Sequence, residues 1–85
     1  MIKKEMNFIK KIIENERIDM LVKHYNLLKQ NYNERKALLD IKTHALAYLK
    51  YIPNSKELKT KIAISKTEKE FLDCIEEVYN HINNI

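Results

Sequence analysis

No glycine occurs among the 85 residues, and Pro53 is the only proline. Glycine enters left-handed backbone and tight hairpin turns at little steric cost. Without it, sheets built from short hairpins are disfavoured, and helices joined by short polar bends are expected. The same lack removes chemistries that need close backbone approach. A phosphate-cradling P-loop, a dinucleotide-binding glycine turn and a nucleophile elbow cannot be written. Apolar residues make up 45% and charged residues 33%, enough apolar content for a globular core. We expect an all-α fold, a small antiparallel bundle of four to five helices forming a single helical domain over residues 1–85.

Hydrophobic spacing places the helices near 2–14, 18–30, 34–52, 55–62 and 66–83. Ile2, Met6, Ile9 and Ile13 form one stripe, widened by Phe8 and Ile12. Polar Glu14-Asn15-Glu16-Arg17 interrupts it, and Ile18, Leu21, Tyr25, Leu28 and Tyr32 resume on another phase. A bend near 14–18 is expected there. One continuous helix is the competing reading, because neither Gly nor Pro enforces a stop. Asn33 is placed to cap the third helix, which carries Leu38, Ile41, Ala45, Leu49 and Ile52. That helix ends at about Ile52, since Pro53 disfavours α geometry at the residue before it. Asn54 with Glu57 reads as a cap for a short helix bearing Leu58 and Ile62. Ser65-Lys66-Thr67-Glu68 reads as a capping box for the last helix, whose stripe is Phe71, Ile75, Val78, Ile82 and Ile85. The expected core is Ile9, Ile13, Leu21, Leu28, Leu38, Ile41, Ala45, Leu49, Leu58, Phe71, Ile75, Val78 and Ile82.

The stretch 55–82 can also be read as a degenerate helix-turn-helix. That alignment places Lys59 where the two helices should cross and Lys69 where an apolar residue is needed. A recognition helix enters a groove lined by phosphates, so its charge should be mainly positive. Residues 65–85 carry two lysines against five carboxylates, an acid excess of three. The net charge is +4, so residues 1–64 hold a positive excess of seven. The last helix therefore reads as one that faces protein. The charge polarity favours an acidic partner or a membrane face.

Sites of chemistry are not evident. His24, His44 and His81 form no pair at the spacing that would put two ligands on one helical face. Cys74 lies on the apolar stripe and reads as a small core residue, not a nucleophile. A lone cysteine forms no internal disulfide, and no apolar run reaches about 18 residues, so a cytoplasmic protein is expected. The carboxylate pairs Glu14/Glu16 and Glu76/Glu77 point different ways from a helix. No catalytic, cofactor or metal residues are assigned, and no enzyme is expected. One contact patch is a candidate: Lys50, Lys56, Lys59 and Lys61 around the Pro53 bend, with Tyr48 and Tyr51 nearby.

The stretch "KIAISKTEKEFLDCIEEV" is similar to the helical immunity proteins that protect bacteria from pediocin-like bacteriocins. Ile62, Ile64, Ser65, Phe71, Leu72, Ile75 and Val78 stand at the matching positions. The resemblance implies an antiparallel four-helix bundle without catalysis that engages a membrane transporter. On these grounds the expected function is a non-catalytic protein-binding factor, immunity-like or regulatory. The alternative is a small nucleic-acid-binding or transcription-regulating protein using 55–82. The expected partner is another protein, membrane-associated in the immunity reading. Nucleic acid is the less expected partner, and no small-molecule substrate or cofactor is expected. The surplus of apolar residues near the N-terminus also allows a homodimer.

Overall fold

The computed structural model describes the backbone of residues 2–84 and the side chains of 9–84. It is an all-α bundle of four helices, α1 (Ile2–Asn31), α2 (Glu34–Leu49), α3 (Lys56–Ile64) and α4 (Glu68–Asn83). α1 packs against α2 and α4, while short α3 bridges α2 and α4. No helix among the described residues is long and apolar enough to cross a membrane.

The expected bend at 14–18 is absent, and α1 runs unbroken for 30 residues. Its polar stretch contains ordinary helix formers, and Asn15 satisfies itself inside the helix by donating Nδ2–H to the Lys11 carbonyl at 2.9 Å. The same amide pairs with Asn83 at 3.0 Å, tying α1 to the end of α4. A 30-residue helix spans about 45 Å, whereas α2 and α4 span about 24 Å each, and the molecule measures 48 × 23 × 18 Å. The N-terminal part of α1 therefore projects past its neighbours. This corrects the expected core: Ile9 is 54% and Ile13 45% exposed, although both lie on a clean apolar stripe. The inward placement expected of Ile2, Met6, Phe8 and Ile85 falls outside the described side chains.

The core begins where the neighbours begin. Ile18, Leu21 and Tyr25 of α1 meet Ala37, Leu38, Ile41, Ala45 and Leu49 of α2, Ile62 of α3, and Phe71, Cys74, Ile75, Val78 and Ile82 of α4. Leu28 and Leu58 pack at its edge. The face of α4 carrying Phe71, Ile75 and Val78 is thus closed against the other helices, which settles what that stretch faces. Phe71 meets the Tyr25 ring edge-on at 5.2 Å.

The links show how a chain without glycine turns. Asn33 caps α2 as expected, accepting from the Lys36 N–H at 2.8 Å. α2 closes three residues earlier than expected. Lys50, Tyr51 and Ile52 follow with bonds back to residues 47, 48 and 49, a tightened last turn. Asn54 does not cap α3. It takes the left-handed conformation at φ 58, which Asn tolerates better than most residues with a side chain. Ser55 follows, buried, and donates its hydroxyl to the Leu49 and Ile52 carbonyls at 2.9 and 2.7 Å. Ser65 likewise closes α3, its Oγ donating to the Ile62 carbonyl at 2.7 Å. The cap of α4 therefore moves two residues along, to Thr67, which accepts from the Glu70 N–H.

Candidate functional site

Of the four lysines expected to form one patch, two share a face of α3 and one turns toward α4. Lys56 and Lys59 are three residues apart on α3 and share a face. Lys61 lies about 140° around the helix from Lys56, and its Nζ is 3.1 Å from Glu77 Oε1 on α4. That hydrogen bond and the Glu77 charge hold the Lys61 ammonium above its usual range. Lys50 is exposed at the C-terminal cap of α2. Of the two tyrosines expected beside this patch, Tyr48 is half-buried against the core, whereas Tyr51 is 68% exposed.

Tyr51 has a different neighbour from the one expected. The Arg17 guanidinium carbon, on α1, stands 5.6 Å from its ring centroid. Arg17, Ala47, Tyr48 and Tyr51 line a shallow depression of about 370 Å³ along the α1–α2 seam. Farther along the same helix pair, the His24 and His44 rings lie 4.5 Å apart at 46°. The antiparallel packing of α1 on α2 creates both pairings, joining residues remote in sequence. A guanidinium over an exposed phenol ring is a flat, cationic surface. It can stack on a base or hold a phosphate with its forked donors. Two imidazoles extend that surface with further planar faces and N–H donors.

Other chemistry is sparse here. Among the described residues no three His, Cys, Asp or Glu side chains converge as a metal site requires. Cys74 is buried, and burial pushes its thiol up. His81 donates from Nε2 to the Pro53 carbonyl at 2.7 Å, pinning the α2–α3 link to α4. Glu14 is buried and Glu16 exposed, so these carboxylates do not act together. Tyr79 donates to Asp19, and burial with that carboxylate raises its phenol. In the core, the Tyr25 hydroxyl has no partner among the described residues. Burial first, then the Glu68 and Glu34 charges, push this phenol up to about 12.

Comparison with known proteins supplies what these residues do not announce. The family model described as dihydrouridine synthase (Dus) matches residues 2–83. A protein of Aquifex aeolicus (strain VF5), described as a "probable tRNA-dihydrouridine synthase", is 36% identical over 62 residues, which is 73% of this chain and 20% of that protein. The chain thus spans about a fifth of the length of the curated relative it matches. No solved structure matches.

These matches overturn the bacteriocin-immunity resemblance, which rested on a capped amphipathic helix that many bundles share. They also correct the expected non-catalytic protein-binding or regulatory role. The matching family and relative carry an enzyme's name, and missing catalytic motifs in a fifth of such a length say little about the rest. The low rank given to nucleic acid, and the exclusion of a small-molecule substrate, fall with it, because the relative is named for tRNA. The transcription-regulator alternative fails as well, and α4 buries its apolar face while its charged residues are mainly acidic. Matched along nearly its whole length, the chain belongs to the dihydrouridine synthase family.

Proposed function

We propose that this chain is an RNA-holding helical part of a tRNA dihydrouridine synthase, forming one helical domain over residues 1–85. The α1–α2 seam is its tRNA-facing surface. The observation that carries this reading is Arg17 lying over exposed Tyr51. RNA-binding proteins hold single-stranded or splayed bases on aromatic and guanidinium planes and track the backbone with cations. Both elements are present in the seam. The acid excess is confined to residues 65–85, outside α1 and α2.

In this reading Arg17 and Tyr51 stack on a base, His24 and His44 donate to the sugar–phosphate backbone, and Lys50, Lys56 and Lys59 add phosphate contacts from the α2–α3 end. Lys61 is committed to Glu77 and contributes little. The synthase chemistry itself falls to the four-fifths of the relative's length that this chain does not span. A tRNA substrate and a lone unpaired cysteine both accord with a cytoplasmic setting.

Titrating an unmodified tRNA transcript with this protein at low salt tests the reading. Saturable binding is expected, weakened about 5-fold or more by Arg17→Gln and by Tyr51→Ala, in line with the worth of one stacked base. Absence of binding, or two variants that bind like the parent, contradicts it.

A further inference from the structure

A second concave surface lies on the opposite flank of α2. Arg35 and His44 are about 180° apart around a helix of this pitch, so the groove beside Arg35 looks away from the seam. Glu34, Arg35, Leu38, Leu39 and Lys42 of α2 face Ser65, Lys66 and Thr67 around the α3–α4 link across an opening of about 560 Å³. Sites for small ligands occupy about 300–1,000 Å³. Three cations surround this groove. Among the described residues, neither Arg35 nor Lys66 has a carboxylate at ion-pair distance. Lys42 donates one N–H to the Ser65 carbonyl at 2.8 Å, which fixes its ammonium at the rim with two donors left over. Leu38 forms a buried apolar floor, and Leu39 is 57% exposed.

Cations converging beside exposed apolar surface complement a ligand with an anionic end and a flat apolar body. A paired duplex keeps its bases stacked inside and presents no such body, whereas an unpaired nucleotide does. The direction is set by Glu34, at the edge the groove shares with a neighbouring depression that Glu68 and Asp73 also line, with Lys69 and Leu72. That acidic side repels a phosphate, so the anion belongs between Arg35, Lys42 and Lys66. We propose that this groove holds one unpaired nucleotide of the RNA, with its phosphate among those three cations and its base against Leu38 and Leu39. This rests on the RNA-binding reading above and adds a second point of attachment to it.

The test measures fluorescence anisotropy of a labelled ten-residue oligouridine and of a tRNA transcript. The variants are Arg35→Gln/Lys66→Gln and a control with equal charge loss elsewhere, Lys10→Gln/Lys23→Gln. Lys42 is left intact because its bond to Ser65 also supports the fold, and circular dichroism verifies that both variants remain helical. The groove variant should weaken oligouridine binding at least 10-fold, and the control less than 3-fold. Equal weakening by the two variants, or no weakening in the groove variant, overturns the groove proposal. If the parent still binds tRNA in that case, the RNA-binding reading stands without it. A parent that binds neither RNA sinks both.

Discussion

Replacing Tyr25 by phenylalanine removes a single oxygen from the interior and leaves the ring in place. Tyr25 is fully buried, packs edge-on to Phe71, and its hydroxyl finds no partner among the described residues. A buried hydroxyl without a hydrogen bond costs about 1–3 kcal/mol. Tyr25→Phe should therefore hold or raise stability at pH 8, by about 1 kcal/mol if most of that penalty is relieved. The effect should grow in alkali. Desolvation, with Glu68 and Glu34 nearby, raises this phenol from 10.0 to about 12. The unfolded chain releases the proton near pH 10 and the folded chain near pH 12, so between them the unfolded state binds fewer protons. Stability is then lost as pH rises through that window. Two units correspond to about 2–3 kcal/mol, and the phenylalanine variant is spared this loss. Tyr79 and the lysines also titrate there, but they are common to both proteins and cancel in the difference. Urea unfolding followed by circular dichroism at pH 8, 10, 11 and 12 measures the gap. A gap that stays constant across this range refutes the reasoning. So does a variant less stable than the parent by more than about 1 kcal/mol at pH 8, which would mean that the hydroxyl holds a partner.

Four further outcomes follow from the packing. Ile18→Ala, at a fully buried position, should cost about 2–5 kcal/mol. Ile13→Ala, on the same helix but nearly half exposed, should cost less than about 1 kcal/mol, and denaturant titration of the pair locates the edge of the core on α1. Phe71→Ala empties the centre and should cost about 3–5 kcal/mol, enough to leave much of so small a domain unfolded at 25 °C by near-ultraviolet spectroscopy. Thr67→Ala removes the cap of α4 and should lower stability by about 1 kcal/mol in denaturant titration, and an unchanged stability would contradict that cap. Cys74 is buried with its thiol raised, so a disulfide reagent should modify it only as fast as the protein opens. Rapid labelling under native conditions would contradict its placement.

The fold was legible where local chemistry and burial point the same way. The stripe Phe71, Ile75, Val78 and Ile82 is fixed by helical spacing, and all four are buried. Asn33 caps α2 because its side chain needs only the residues that follow it. Legibility fails where a residue has two local choices. Asn54 and Ser65 precede helices and look like N-caps, yet Asn54 takes the left-handed turn and Ser65 spends its hydroxyl on the helix behind it. Ile9 and Ile13 show the limit of periodicity. It reports that a face is apolar, not whether a neighbour is long enough to cover it. The candidate site was the least legible part. Arg17 meets Tyr51, and His24 meets His44, only because α1 folds back along α2. The basic-aromatic signal near Tyr48 and Tyr51 was visible, but its arginine was not. Family membership rests on a pattern spread over residues 2–83 that no single motif displays.

The most direct test of the RNA-binding account is the salt dependence of tRNA affinity. Arg35, Lys42, Lys50, Lys56, Lys59 and Lys66 together should release about one counterion each, giving a log–log slope of about −5. Affinity for an unmodified transcript should then fall by about three orders of magnitude between 50 and 200 mM monovalent salt. Binding that is absent at 50 mM, or indifferent to salt across that range, would contradict it.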